Sequence, residues 1–328
     1  NVDPAQGPLG PLDTDLLGRS GGDTTVPYLS LTGGDQRRLA FMQHAYNIQP
    51  HHIEDWLIGR RLLHTDFESG AHVEQLLPGP QARDGNTAFV AQAGKASEPV
   101  QNSCIACHFL NGVGDLQEGQ EVLPPRIVGL GLLEAIPESF MEAYAGAEFP
   151  GVAGAMSLVE FEGKTRVGRF GWDAGTVSLR HQIMEAAHED MGVSSSAFGE
   201  GVELSDDEVG QLETYLRLVA LPAVEHLAPL EHPGARQFVS MRCAECHAMG
   251  PPDAPLQGIL TSAEHPFAEL ASQRIFPGTD LLLHDVGTGG SYRTAPLWGL
   301  GRAGRVRSGQ DGGHTLLHDG RATSIEAA

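Results

Sequence analysis

Two short runs carry the chemistry in this sequence: Cys104-Ile105-Ala106-Cys107-His108 and Cys243-Ala244-Glu245-Cys246-His247. They use all 4 cysteines of the chain. A Cys-x-x-Cys-His run is the attachment sequence of c-type haem. Its two thiols add to the haem vinyl groups as thioethers, and the His that follows sits beneath the iron as proximal ligand. A redox dithiol does not need that His, and it sits near a βαβ pattern that this sequence does not present. A zinc site can use the same residue types, but tandem Cys-x-x-Cys zinc pairs lie closer in sequence than 104 and 243. The expectation is two covalently bound haem c groups, attached through Cys104, Cys107, Cys243 and Cys246. His108 and His247 are the expected proximal iron ligands. Covalent haem c is installed outside the bacterial cytoplasm, so the expected location is the periplasm or the cell exterior.

Composition narrows the partners. The chain has 328 residues, with 21 Lys+Arg against 42 Asp+Glu and a net charge of −21. That charge argues against nucleic acid and anionic membrane as partners, since both need a basic face. It suits a basic redox partner protein or a well-solvated secreted protein. At 41% hydrophobic residues a sizeable core is available. No apolar run reaches 18 residues, so no membrane span is expected. No signal-peptide pattern starts at Asn1; either it was removed or the chain never carried one. The 42 Gly and 21 Pro imply long loops without any repeat period.

The elements that must position these motifs read as mainly α. Residues 1 to about 35 are rich in Gly, Pro, Asp and Thr and read as an extended arm that lies on the surface or reaches to a partner. A helical pattern follows over 36–66, and 78–98 is a polar loop leading to the first motif. A helix is expected near Gly131–Ala143, strand or loop at 157–171, and a helix at about 176–190. Ser205 and Glu208 form a capping-box pattern that opens a helix from Val209 to Leu218, and Leu221-Pro222 stops it. A short helix over 233–239 enters the second motif. The expected organisation is an N-terminal arm and helical extension at 1–85, then two cytochrome c-like haem domains with long loops at 86–222 and 223–328.

Further blocks resemble a known family. Leu123-Pro124-Pro125 through Pro137-Glu138, Gly168-Arg169-Phe170-Gly171-Trp172 and Asp190-Met191-Gly192 occur in its order. So do Thr279-Asp280-Leu281-Leu282-Leu283-His284-Asp285, Tyr292-Arg293-Thr294-Ala295-Pro296-Leu297-Trp298-Gly299 and Leu317-His318-Asp319-Gly320-Arg321-Ala322. Over roughly residues 50–328 the sequence resembles bacterial di-haem oxidoreductases of the peroxidase or "thiol oxidoreductase" kind. These are relatives of the di-haem cytochrome c peroxidases and of the MauG-type enzymes, which oxidise a protein substrate. The resemblance implies that Trp172 bridges the two haems, that Gln182 is a distal hydrogen-bonding residue and that Asp190 is the distal acid. Asp190 stands where the family has Glu, after a shorter gap, so Glu189 is an alternative. On residue type alone, Trp172 reads first as a buried core aromatic, and Asp190 equally as a helix-terminal or surface acid.

Sixth ligands decide whether an iron reacts or only carries electrons. For the first haem the candidates are His181, His188 and Met191, with an open site equally consistent. For the second, the resemblance implies a ligand on a helix after His318-Asp319-Gly320, and about a dozen residues on from Gly320 lies beyond Ala328. The native chain is therefore expected to continue. If it does not, His284, His314 and His318 are the replacements, although such histidines also serve haem propionates or backbone. The resemblance admits a calcium between the haem domains, for which Gly313 and Thr315 match the family pattern poorly.

The leading expectation is a di-haem peroxidase-like oxidoreductase that uses hydrogen peroxide and a redox partner, either a small cytochrome or an oxidisable protein. The alternative is a non-catalytic di-haem electron-transfer subunit of a larger assembly. Haem-based oxygenation of an organic polymer ranks last.

Overall fold

A computed structural model describes residues 19–26, 41–74, 81–83, 102–108, 112–114, 123–224, 233–287, 290–300, 303, 316–317, 319–324 and 327. The expectations placed on residues 1–18, His314, His318 and the end of the chain lie outside these. The described residues form seven α-helices and four antiparallel two-stranded hairpins.

The core is built on α1 (Ile53–Leu63), α3 (Leu130–Glu134), α5 (Leu179–Glu189) and α6 (Asp206–Arg217). Helix α6 is the central element and packs against the other three. It starts as the sequence implies. Ser205 N–H donates to Glu208 Oε2 at 2.9 Å and Glu208 N–H returns to Ser205 Oγ at 3.3 Å, the reciprocal box that satisfies two end donors. Val209, Leu212, Tyr215 and Leu216 are buried at three- and four-residue spacing, which gives one apolar face. Against it α1 lays Trp56, whose ring centre is 5.2 Å from that of Tyr215.

Two sequence expectations change. The single helix at Gly131–Ala143 is two, α3 and α4 (Glu138–Ala145), with Pro137 as the N-cap of α4. Proline has no N–H to continue α3 and its fixed φ suits a break. Residues 19–26 are not an arm on the surface. Thr24 and Thr25 are buried, Val26 N–H bonds Leu221 O at 3.0 Å, and Phe276 N–H bonds Ser20 O at 2.9 Å. The segment stitches the end of the α6 region to the C-terminal half.

The pattern over 36–66 resolves into turns at 41–49, a 3-10 turn at Pro50–His52 and α1, with 36–40 outside the described residues. The strand region at 157–171 is a hairpin, β3 (Leu158–Phe161) with β4 (Lys164–Val167). The remaining hairpins are β1 (His72–Glu74) with β2 (Gln81–Arg83), β5 (Ile259–Leu260) with β6 (Arg274–Ile275), and β7 (Leu283–Asp285) with β8 (Ser291–Arg293). One cluster of buried apolar side chains runs from Phe41 to Ala303 and crosses position 222 without a break. Tyr144 of α4 reinforces that continuity by donating from its buried hydroxyl to Gly250 O at 2.9 Å.

Candidate functional site

The two motifs fold alike locally. Cys104–Cys107 is the one-turn helix α2, and His108 N–H bonds Cys104 O at 2.9 Å. Helix α7 (Pro233–Ser240) leads to a 3-10 turn at Cys243–Glu245, and His247 N–H bonds Cys243 O at 2.8 Å. In both, one tight turn brings the two thiols and the imidazole to the same neighbourhood.

The first motif opens on a cavity of about 350 Å³ with a mainly apolar wall, within the size range of binding clefts. Helix α5 gives it one face: Leu179, Gln182, Ile183, Ala186, Ala187 and Asp190 all border it, at helical spacing. Met191 borders it too, with its Sδ 4.0 Å from Cys104 Sγ. Trp172, on the turn after β4, completes the wall and is pinned by Nε1–H donating to Leu123 O at 2.6 Å. The cavity therefore gathers Cys104, Cys107, His108, Trp172, Gln182, Asp190 and Met191, which lie far apart in sequence.

Electrostatics follow from this apolar setting. Burial pushes the Cys104 thiol up to about 12, and the charges of Asp190 and Cys107 add to it. Burial pushes His108 down to about 4, opposed by the Pro125 carbonyl. His108 is thus a neutral imidazole at pH 7, the form that ligates metal, and its buried Nδ1 has no full hydrogen bond. Asp190 stands at the rim with an exposed outer edge, and burial of its carboxyl, then Glu189, raises it above the ordinary aspartate range. Thr176 Oγ1–H donates to Gln182 Oε1 at 2.9 Å. This leaves the Gln182 amide nitrogen as the donor toward the cavity.

Other expected ligands are placed elsewhere. His181 is buried on another face of α5, stacked on Phe161 at 3.8 Å between ring centres. His188 lies beside Phe198, with Nε2 3.9 Å from Glu189. Neither borders the cavity, and neither does Glu189. Of the three near-sequence candidates, Met191 alone is at the cavity.

At the second motif, His247 Nδ1 lies 2.9 Å from Gly278 O. This contact holds the proton on Nδ1 and leaves the Nε2 lone pair for a metal, the usual second-shell arrangement of a ligating His. Burial also lowers its pKa. Cys246 Sγ lies 3.7 Å from His284 Nδ1, and His284 Nε2 lies 2.7 Å from Asp280 Oδ2. Burial opposes a charge on His284, but the Asp280 and Cys246 hydrogen bonds outweigh it and push the imidazole up to about 10. Both ring nitrogens of His284 are engaged. It forms a hydrogen-bonded dyad with Asp280.

Among the described residues, Cys246, Asp280 and His284 are the one group of three or more side chains that could hold a metal ion. Such an ion would use neither Cys243 nor His247, so it does not account for the motif. The stretch named for calcium, Gly313 to Thr315, is outside the described residues.

The residues of both motifs fit haem. Each offers paired thiols and a neutral, half-buried imidazole, and the first adds an apolar cavity. The residue types alone missed three positions. Asp280 fixes His284. Arg293 is a buried guanidinium on the cavity wall. Arg126 is on the same wall, with Nη1 and Nη2 bonded to the carbonyls of Trp298 and Pro296. All three sit in blocks that carry the family resemblance, but residue type assigned them no role.

No curated protein and no solved structure matches the chain. Residues 199–328, which contain the second motif, Asp280, His284 and Arg293, are similar to the family described as "Di-haem oxidoreductase, putative peroxidase".

Proposed function

We propose that this protein is a periplasmic or extracellular di-haem c-type oxidoreductase that acts as a peroxidase, with electrons entering from a partner protein. The observation that carries this reading is the cavity at Cys104, Cys107 and His108, whose wall also holds Trp172, Gln182 and Asp190. Haem bound there supplies a redox iron at which a peroxide oxygen–oxygen bond is broken.

The chain's own residues bind, orient and manage protons. The Gln182 amide nitrogen, fixed by Thr176, donates to the peroxide and orients it. The Asp190 carboxyl, with its pKa raised by burial, takes a proton from one peroxide oxygen and returns it to the departing one. The apolar wall lowers the local dielectric on the cavity side of both residues, while Asp190 keeps an edge on solvent with which it exchanges protons. Reduction of hydrogen peroxide to water consumes two electrons and two protons, so an electron source is required.

Cys243, Cys246 and His247 hold the second haem, where the partner delivers electrons. Backbone hydrogen bonds run from the segment of Trp172 to that of Cys246. Trp172 O accepts from Arg293 N–H at 2.6 Å, Thr294 N–H donates to Leu282 O at 3.0 Å, and Asp280 N–H donates to Cys246 O at 2.9 Å. The net charge of −21 favours a basic face on the partner. A small cytochrome or an oxidisable protein both meet that description.

The test is the optical spectrum of the protein poised half-reduced. A high-spin haem that reacts with hydrogen peroxide and carbon monoxide is expected. Two low-spin haems inert to both would sink the enzyme reading and leave electron transfer alone.

A further inference from the structure

Arg293 ends β8 and is 4% exposed, yet it borders the first cavity. Its Nε–H donates to Gly171 O at 2.9 Å and its Nη1–H to Thr294 O at 3.2 Å. Among the described residues its Nη2 has no hydrogen bond and its guanidinium has no ion pair. The two carboxylates near enough to act on it by charge are Asp280 and Asp173. Asp280 is committed to His284 at 2.7 Å, and Asp173 accepts from Gly175 N–H at 2.9 Å. Burying a guanidinium against neutral carbonyls alone is unfavourable, and burial moves its pKa down to about 10. In a chain with 42 carboxylate residues and a net charge of −21, an unpaired buried cation on a cavity wall points to an anion that arrives with the cavity's occupant.

We infer that Arg293 is the carboxylate anchor of the first cavity and takes a propionate of the haem attached through Cys104 and Cys107. This inference rests on the proposed haem reading. It also fixes an orientation. The anchored propionate edge faces Gly171 and Trp172, on the side of the cavity from which β8 leads to the second motif. Arg293 then has two tasks. Its backbone N–H holds the Trp172 carbonyl, and its guanidinium holds the haem edge beside it. A fork-shaped, permanently charged donor set suits a carboxylate better than any other side chain does.

The test uses the holoprotein and two variants. Mass spectrometry first establishes that wild type, Arg293→Gln and Arg293→Lys each carry two haems. Potentiometric titration then reads both reduction potentials. A cation beside a haem favours its reduced, less positive state. Arg293→Gln is therefore expected to lower one potential and leave the other unchanged, while Arg293→Lys stays near wild type. Equal potentials in wild type and Arg293→Gln would overturn the inference and leave the haem reading intact. So would an Arg293→Lys protein that behaves like Arg293→Gln, which is the mark of a purely structural role through the carbonyl bonds. A wild-type mass with a single haem would overturn both.

A carboxylate on a free substrate has the same chemistry. Benzoate titrated into wild-type holoprotein is expected to give no saturable Soret shift. A saturable shift absent from Arg293→Gln would overturn the propionate assignment. If neither variant folds, a crystal structure of the wild-type holoprotein answers directly. A propionate oxygen on Arg293 Nη2 is expected, and a propionate turned to solvent overturns the inference.

Discussion

The backbone carbonyl of Trp172 accepts a hydrogen bond from the N–H of Arg293 at 2.6 Å, and the indole Nε1–H donates to Leu123 O at 2.6 Å. The indole is therefore held from both ends, between the first cavity and the hairpin that carries His284. A ring fixed in this way suits electron passage, because its position relative to both sites cannot drift. Trp172→Phe keeps an aromatic ring but leaves the Leu123 carbonyl without its donor. It is expected to cost about 1–3 kcal/mol, read as a shift in chemical denaturation midpoint. It is also expected to slow electron equilibration between the two haems, read by stopped-flow reduction of the half-oxidised protein. An unchanged rate would remove Trp172 from the electron route and keep its packing role.

Asp190 has its carboxyl at the cavity rim, lifted by burial and by the neighbouring Glu189. Asp190→Asn keeps the shape and removes the proton acceptor. The rate of reaction with hydrogen peroxide is expected to fall about 10²–10⁴-fold, with both haems still attached by mass. Glu189→Gln is expected to have little effect, because Glu189 does not border the cavity. A reversed order of the two variants would assign the acid to Glu189.

The strongest sequence signals in this chain were short and local. The Cys-x-x-Cys-His runs and the Ser205–Glu208 capping box depend on residues within a turn of one another, so spacing alone specifies them. The α5 face was legible only in part. Gln182 and Asp190 do border the cavity, but His181 and His188 looked equally suited and the helix turns them onto Phe161 and Phe198. Which face of a helix meets a cavity depends on its neighbours, and β3 supplies Phe161 from outside the helix. The Asp280–His284 dyad was hidden for a related reason. Four residues separate the pair, but it is strand β7 and the preceding turn, not a helix, that bring them together. Arg293 was invisible as a site residue because its burial is a tertiary property.

With Cys246 as a free thiol, burial opposes a charge on His284 but Asp280 and Cys246 raise its pKa to about 10 from 6.5, and with Cys246 in a thioether the Asp280 share of that rise remains. The folded state binds that proton more tightly. The stabilisation is thus fully present below pH 6.5 and is lost as pH rises through about 10. Asp280→Asn removes the buried partner and is expected to destabilise by about 3–5 kcal/mol. It should also flatten the alkaline decline in stability. Denaturant titrations at pH 6, 8 and 10 check both, and an unchanged alkaline slope in the variant would discard the dyad as its source.

Glu134 shows the opposite sign. Burial alone would raise its pKa, but hydrogen bonds from His265 and Arg217, with the Arg217 charge, bring it down to about 2 from 4.5. Its Oε2 lies 2.6 Å from Arg217 Nε, and its Oε1 accepts from Leu179 N–H at 2.9 Å. The carboxylate thereby joins α3 to α5 and α6. This stabilisation is present above pH 4.5 and is lost as pH falls through about 2. The shift corresponds to about 3 kcal/mol. Glu134→Gln is expected to lower stability at pH 7 by a similar amount and to weaken the acid dependence of unfolding between pH 5 and pH 2.

Gly59 is where α1 meets α6 most closely. A Cβ at this position would lie 2.0 Å from Gln211 O and 2.6 Å from Gln211 C, both of them backbone atoms that cannot rotate away. Glycine is unfavourable in a helix interior by intrinsic propensity, so Gly59→Ala on an isolated helix would stabilise. Here the contact decides, because the helices must separate to admit a methyl group. That separation would loosen Trp56 from Tyr215 and, through α6, the packing of α5 that aligns Gln182 and Asp190. Gly59→Ala is expected to cost at least about 1–3 kcal/mol. Its peroxide reaction should also weaken, although residue 59 does not border the cavity. Thermal unfolding with a parallel peroxide assay checks both. A stability loss with full activity would show that the α5 wall does not depend on the α1–α6 contact.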